Sequence, residues 1–362
     1  MKSRTLLLAA ALLLLPSAAQ AQDQSQSGSE TGSQSDAGAQ GQSSGSPEVQ
    51  APAAAPLTLE TINSATLEGI ATVPLDERPP DAGQQPNPAI IRLQILLDRA
   101  GASPGVIDGF DGDNLRKAIR TIETIWDMPA DGIADEGLLS GLSTSDDVVA
   151  AYTITDADSD RVTGPVPDDY SEMAQLEMVG YATVVEALAE KFHMDEDLLR
   201  ALNPSAEFAV GEQIAVAQPG APIEGPQVAR IEAHKDLRQL QAFAEDGTLI
   251  AAYPATIGSE ANPSPSGTHS VAAIAPDPNY TYDPENFKQG DNTERLIIPP
   301  GPNNPVGSTW IDLTEPGYGI HGTPEPALID KTASHGCVRL TNWDAAELAN
   351  LVSQGVTVAF ID

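Results

Sequence analysis

The chain is poor in cysteine, because its 362 residues include only Cys337. A single cysteine has no partner within the chain. Exported proteins usually pair their cysteines or lack them, so an odd one indicates a thiol kept for chemistry. A lone cysteine is more often a small buried hydrophobe, but that alternative does not explain why His335 and Gly336 precede Cys337. We therefore treat the Cys337 thiol as a candidate nucleophile.

Basic and aromatic residues are scarce as well. Lys and Arg number 18 against 52 Asp and Glu, which gives a formal net charge of −34. Nucleic acids and anionic lipid head groups repel such a chain, so neither is expected as a partner. Aromatic residues make up 4%, as expected where much of the length is linker. No second long apolar run follows the N-terminal one, so we expect no membrane insertion after that segment is removed.

The first 21 residues show the pattern of a secretory signal peptide. A basic start at Lys2 and Arg4 precedes an apolar run, and Ala19-Gln20-Ala21 offers small residues for cleavage. No cysteine lies at this cleavage site, which argues against a lipid anchor there. Residues 22–56 are rich in Ser, Gln, Gly, Ala and Pro, so we predict a disordered linker.

Residues 57–148 show a helical pattern in which Pro88 begins one helix and Asp113 or Asn114 caps the next. This segment resembles the peptidoglycan-binding domain attached to many cell-wall enzymes. The resemblance rests on Leu93-Gln94, Gly105-Val106-Ile107-Asp108-Gly109, Arg116-Lys117-Ala118 and Asp131-Gly132-Ile133. Ile122-Glu123 replaces the Phe-Gln of that family, which leaves the fold intact and makes glycan binding less secure. A plain three-helix bundle is the alternative.

Residues 149–169 are predicted to be a connector rich in Pro and Asp. Residues 170–220 contain two helical stripes and then an apolar strand, an order that resembles a LysM-like module, a small βααβ carbohydrate-binding unit. A spacer without a ligand is an equal alternative. His193 lies near a helix end and is expected to be a surface histidine.

Residues 226–362 change to short strands with one clear helix, which predicts a mainly-β sandwich. We expect Asn342 to cap that helix, Asp344 to complement its dipole and Gly355 to end it. Residues 276–305 are predicted to be a long Pro/Asn/Asp-rich loop, which we expect at the surface near the site. The chain is thus predicted to be multidomain.

Several residues around Cys337 suit nucleophilic catalysis. A thiol attacks a carbonyl only as its thiolate, so it needs a nearby base or positive charge. His335 would point to the same face as Cys337 in an extended segment, and His321 is a second candidate base. Backbone amides around Gly336 and Cys337 could form an oxyanion hole, while Arg339 suits a substrate carboxylate.

These residues lie in two motifs, Ile320-His321-Gly322-Thr323 and Ser334-His335-Gly336-Cys337-Val338-Arg339-Leu340. The motifs resemble the active-site signature of the L,D-transpeptidases (YkuD-like catalytic domain), and the resemblance extends over residues 226–362. It implies that Cys337 is the nucleophile and His321 the general base, oriented by the Gly322 carbonyl. The resemblance assigns His335 to the oxyanion or substrate site. It also implies a substrate-binding set of Arg339, Ser334 and Gly336. Asp330 stands where many members have glycine.

The resemblance implies a cofactor-free acyl transfer in the peptidoglycan of the cell wall. The thiolate would attack a stem tetrapeptide at the bond before its terminal D-alanine, form a thioester and pass the acyl group to an amine. Expected partners are peptidoglycan stem peptides and glycan strands, with an outer-membrane lipoprotein as one candidate acceptor. The implied location is periplasmic and wall-associated, with a role in cell shape.

Three alternatives stay open at this point. Water could replace the amine, which would make the protein an L,D-carboxypeptidase or amidase. The chain could also be a non-catalytic wall-binding protein. Zinc could bind His321, His335 and Cys337, with His269 as a remote fourth ligand, but the spacing is a poor metal signature and we predict no metal.

Overall fold

A computed structural model describes residues 57–67, 70, 85–223, 228–258, 262–332, 334 and 336–362. The predicted signal peptide, the predicted linker and His335 lie outside the described residues. Within the described ranges, no helix combines the length and apolarity needed to cross a membrane.

The first part of the fold is helical. Its helices are α1 (Leu59–Asn63), α2 (Pro88–Arg99), α3 (Asp113–Ile125) and α4 (Glu136–Leu142). Pro88 begins α2 as predicted, and the side chain of Asn87 caps it. Gly112 takes the cap position of α3, so the prediction of Asp113 or Asn114 is wrong: Asp113 is already the first helical residue.

A second part follows with a β-helix-helix-β order. Its elements are β1 (Val149–Thr153), α5 (Tyr170–Met173), α6 (Val184–Lys191), α7 (Glu196–Leu202) and β2 (Gln213–Ala217). Strands β1 and β2 pair antiparallel, so β1 lies within the residues predicted as connector. A run of five residues beside Asp and Thr is too short to stand out as a strand in the sequence. The buried side chains of this part and of α1 to α4 form one hydrophobic core. Whether this part is a LysM-like module stays a prediction.

The C-terminal part is mainly β, as predicted. Its strands are β3 (Arg230–His234), β4 (Gln239–Phe243), β5 (Leu249–Pro254), β6 (Thr256–Ile257), β7 (Gly267–Pro276), β8 (Tyr280–Tyr282), β9 (Leu296–Ile298), β10 (Thr309–Leu313), β11 (Gly319–His321), β12 (Val338–Arg339) and, after α8 (Asn342–Leu351), β13 (Thr357–Ile361). Nine of them form a sheet in the order β5-β4-β3-β13-β7-β10-β11-β12-β6.

This sheet folds around a core. The first half of β7 pairs with β13 and its second half pairs with β10, so β7 joins the two halves of the sheet. Only Ala255 separates β5 from β6, which are the two outer strands of the order. The outer strands therefore meet, and the two halves enclose a single cluster of buried side chains.

The ends of α8 differ from the prediction. Thr341 caps the helix, because its side chain accepts a hydrogen bond from the Asp344 amide at 3.1 Å. Asn342, predicted as the cap, is the first helical residue. The helix ends at Leu351, and Gly355 lies in the turn that follows, at a φ of +94°.

Asp344 is a buried acid in the first turn of α8. Burial raises the pKa of Asp344 to about 8, and nearby Asp98 adds to the shift. Its Oδ2 atom has no hydrogen-bond partner within the described residues. The carboxyl is therefore protonated at neutral pH and does not complement the helix dipole as predicted.

We expect Asp344→Asn to become more stable relative to the native chain as pH rises. The folded state binds the Asp344 proton more tightly than the unfolded state, so its stabilising effect is lost as pH rises towards about 8, whereas asparagine does not ionise. Urea unfolding at pH 5 and pH 9 should show a relative gain of about 2 kcal/mol or more. A stability difference that is equal at both pH values would contradict this.

His193 lies at a junction of three parts of the fold. Its Nδ1 atom is 3.1 Å from a carboxylate oxygen of Asp98 in α2, and its ring stacks on Trp343 of α8 with centroids 5.0 Å apart. The prediction of a surface histidine is therefore wrong. Local sequence could not show it, since both partners are distant along the chain.

Candidate active site

Two of the predicted catalytic residues, His321 and Cys337, lie on or beside neighbouring strands of the sheet. Strands β11 and β12 pair in parallel, and His321 lies directly opposite Arg339. Cys337 immediately precedes β12, and side chains two residues apart on an extended chain point to the same face. The sheet therefore places Cys337, Arg339 and His321 on the same face, with Arg339 near enough to act on both other groups, although 15 residues lie between His321 and Cys337 in the sequence.

The His321 ring is buried and held in one orientation. Its Nδ1 atom lies 2.7 Å from the Gly322 carbonyl oxygen, and a carbonyl can only accept, so Nδ1 carries the proton. In the neutral ring Nε2 is then an acceptor. The ring also stacks on Trp310 of β10 with centroids 5.6 Å apart. Burial and, secondarily, the Arg339 charge lower the pKa of His321 to about 4.

The Cys337 thiol is half-buried and protonated at rest. Burial raises its pKa, while the Gly319 amide and the Arg339 charge oppose that shift. Its Sγ atom lies 3.8 Å from the Gly317 carbonyl oxygen, a weak contact for a thiol donor. With His321 neutral as well, the resting site holds a thiol and a neutral imidazole, so the proton must move during the attack.

Ser334 holds the turn that leads to Cys337. Its hydroxyl donates to the Cys337 carbonyl at 2.6 Å and accepts from the Gly258 amide at 2.8 Å and the Gly336 amide at 3.3 Å. The side chain is buried, with 3% of its surface exposed. These bonds occupy the hydroxyl that the sequence assigned to substrate, so we reassign Ser334 to supporting the loop.

Gly336 is required by the shape of the same turn. Its φ is +105°, and a β-carbon there would lie 2.7 Å from Cε1 of Tyr318. Its carbonyl accepts a hydrogen bond from the Ser264 hydroxyl at 2.7 Å. A side chain at Gly336 would therefore displace the backbone that presents Cys337.

Arg339 supplies positive charge beside the thiol. Burial lowers the pKa of Arg339, and Glu325, Tyr170 and Cys337 act against that shift, which places these groups around the guanidinium. Its Nε atom is buried and has no hydrogen-bond partner among the described residues. A buried donor without a partner suits a substrate carboxylate.

Asn342 fixes the loop after His321, a role that the sequence did not predict. Its Oδ1 atom accepts hydrogen bonds from the Ser308 and Thr323 amides, both at 3.1 Å. A β-carbon at Gly322 would collide with this side-chain amide, so glycine is needed there. The position of Asn342 at the start of a helix favoured a cap assignment and hid the role.

Aromatic side chains from two parts of the fold stand near the thiol. Tyr280 of β8 is close enough to Cys337 for the two to influence each other's charge, and burial raises the pKa of Tyr280. Tyr170 of α5 packs edge-on against Tyr280 with ring centroids 6.0 Å apart. Residues 276–305, predicted as a loop, thus contain a β8–β9 hairpin that packs against the upstream part.

The two remaining histidine predictions have different outcomes. His335 lies outside the described residues, so its predicted oxyanion or substrate role stays a prediction. His269 is in β7, where it lies opposite Val358 and its ring packs edge-on against Phe360 of β13. Among the described residues, a set that leaves out His335, no three His, Cys, Asp or Glu side chains form a group that could hold a metal ion.

Comparisons with known families agree with the sequence motifs. Residues 229–361 match the YkuD model, described as the L,D-transpeptidase catalytic domain, and residues 86–141 match a peptidoglycan binding domain. These matches account for the C-terminal mainly-β part and for most of the helical part.

Similar proteins carry the same designation. The L,D-transpeptidase named YkuD in Bacillus licheniformis is 28% identical over 180 residues, covering 48% of this chain and 92% of that protein. The protein of that name in Bacillus subtilis is 26% identical over 174 residues, covering 48% and 91%. A solved L,D-transpeptidase from Mycobacterium smegmatis aligns with a TM-score of 0.31 at 21% identity, over 42% of this chain and 65% of that one.

Proposed function

Because the chain contains an L,D-transpeptidase catalytic domain after a peptidoglycan binding domain, we propose that it is an exported enzyme that transfers peptidoglycan acyl groups through Cys337. The observation that supports this most strongly is the shared face of β11 and β12, where the Cys337 thiol, the His321 base and the Arg339 charge stand together. Peptidoglycan is the substrate that both domains imply.

In the first step Cys337 becomes acylated. As Sγ attacks the carbonyl carbon that precedes the terminal D-alanine of a stem tetrapeptide, Nε2 of His321 takes the thiol proton. The Cys337 amide and His335 are the proposed donors to the oxyanion. The carbon–nitrogen bond then breaks, D-alanine leaves with the proton held by His321, and a thioester remains on Cys337.

In the second step an acceptor amine takes the acyl group. Its nitrogen attacks the thioester carbon, His321 removes the amine proton, and the thiolate of Cys337 leaves and is reprotonated. Arg339 stabilises the thiolate at this moment and binds a carboxylate of the stem peptide. The acceptor is another stem peptide or an amine of an outer-membrane lipoprotein.

The upstream parts would hold the enzyme at its substrate. The peptidoglycan binding domain supports attachment to the wall, and the sequence pattern of the N-terminus supports export to the periplasm. Strong negative charge argues against retention on anionic membranes or nucleic acid. A contribution to wall organisation and cell shape follows from this placement.

Product analysis after incubation with disaccharide tetrapeptides tests the proposal. Purified mature protein should release D-alanine and yield cross-linked dimers, and the Cys337→Ala variant should yield neither. Release of D-alanine without dimers, even when a lipoprotein peptide or a D-amino acid is added as acceptor, would indicate a carboxypeptidase. Intact substrate with the native protein would contradict the proposal.

A further inference from the structure

Asp330 lies in the loop that leads to the catalytic turn. It is buried, and its φ of +70° is a conformation that glycine adopts readily and aspartate tolerates. Its amide donates a hydrogen bond to the Thr256 hydroxyl at 3.0 Å. Thr256 of β6 pairs with Arg339 of β12. The backbone of Asp330 is thus attached to the strand beside the catalytic strand.

The Asp330 carboxylate makes ion pairs through both of its oxygens. Nζ of Lys117 lies 2.7 Å from Oδ2, and Nε of Arg238 lies 2.7 Å from Oδ1. Nη1 of Arg238 also donates to the Asp330 carbonyl at 2.9 Å. Lys117 belongs to α3 of the peptidoglycan binding domain, whereas Arg238 belongs to the turn before β4.

Lys117 is the buried partner of this group. Its side chain is 12% exposed and that of Asp330 5%, whereas the Arg238 side chain is 51% exposed. An ionised carboxylate at such a site is costly without a paired cation. The position of Lys117 on α3 therefore determines where the Asp330 loop can settle against the sheet.

Few residues separate Asp330 from the turn that carries the nucleophile. Ser334 follows Asp330 by four residues, and its hydroxyl holds both the Gly258 amide and the Cys337 carbonyl. We propose that Lys117 and Arg238 are positioning residues for Cys337 that act through Asp330, so that the peptidoglycan binding domain forms part of the support of the catalytic loop. The inference rests on the proposed function, since it concerns the loop that presents the nucleophile.

A double-mutant cycle tests the inference in the full-length mature protein. Lys117→Met and Asp330→Asn should each slow acylation of Cys337 by a carbapenem about tenfold. The double variant should lose little more than Asp330→Asn alone, because that change already removes the ion pair with Lys117 as well as the one with Arg238. Lys117→Arg keeps the charge and should recover most of the rate.

Alkylation of Cys337 by iodoacetamide across pH separates positioning from stability. If the loop shifts, the thiol moves relative to Arg339 and the Gly319 amide, and the pH midpoint of alkylation should change in Lys117→Met. Lys191→Met is a matched control, because it removes the lysine partner of another buried carboxylate, that of Asp158, 2.6 Å away. This control should lose stability without a change in the alkylation midpoint.

The outcomes distinguish failure of the positioning role from failure of the proposed function. Native acylation rates and midpoints in Lys117→Met and Asp330→Asn, with only a lower melting temperature, would overturn the inference. Rate losses that add fully in the double variant would overturn it too. If the native protein is not acylated while the alkylation midpoint still shifts in Lys117→Met, the proposed function fails and the positioning role stands.

Discussion

We expect Cys337→Ala to abolish D-alanine release and acyl-enzyme formation while the protein stays folded. Cys337 is the single cysteine of the sequence, so no other side chain could form the proposed thioester. Losing a nucleophile lowers turnover by about 10⁴-fold or more. The side chain is half-buried, its contact with the Gly317 carbonyl is weak and the Gly319 amide acts on the same sulfur, so alanine removes little packing. Substrate turnover followed by mass spectrometry measures the effect.

Cys337→Ser is the matched control for this change. It keeps the size of the side chain and replaces the thiol by a hydroxyl, which is a far weaker nucleophile beside a neutral imidazole. The free energy of unfolding of both variants should lie within about 1 kcal/mol of that of the native protein. Turnover by the alanine variant at more than about one hundredth of the native rate would place the nucleophile elsewhere.

We expect His321→Ala to lower kcat/KM by about a hundredfold or more, since it removes the proposed base that takes the thiol proton. Alanine also removes the ring that stacks on Trp310, so part of its effect could arise from a cavity. His321→Gln fills more of that space and can still donate to the Gly322 carbonyl. We expect the glutamine variant to be comparably slow and more stable.

The pH dependence of the native enzyme tests the same residue. With its pKa lowered to about 4, His321 keeps its neutral, basic form until pH falls through that value. The acid limb of kcat/KM, which reports the free enzyme, should therefore lie near pH 4. An acid limb near pH 6.5, the ordinary value for histidine, or a native rate in His321→Gln would contradict the assignment.

The sequence motifs predicted where the candidate site lies in the chain. His321 and Cys337 were predicted from two short motifs, and the parallel pairing of β11 with β12 explains how two segments distant in sequence come to lie side by side. The mainly-β class followed from short strands and turn residues. These features depend on local spacing or on a family resemblance, both of which can be read along the chain.

The supporting contacts could not be predicted because their partners are distant in sequence. Thr341 and Asn342 both suit a helix cap, and only packing decides that Thr341 caps α8 while Asn342 holds Ser308 and Thr323. In the sequence, Asp330 was notable only because many family members have glycine at that position. Nothing near it along the chain indicates that its carboxylate pairs with Lys117. These side chains belong to no motif, and their roles arise only when distant segments of the chain pack against one another.

Mass spectrometry of the intact mature protein after reaction with a carbapenem tests the central claim most directly. The account predicts one covalent adduct per chain, located on the peptide that contains Cys337 and absent in Cys337→Ala. It also predicts a transient adduct of the stem tripeptide acyl group, formed by loss of D-alanine, on the same peptide when disaccharide tetrapeptide replaces the carbapenem. A native protein that forms no adduct, or one that forms it equally in the alanine variant, would contradict catalysis by Cys337.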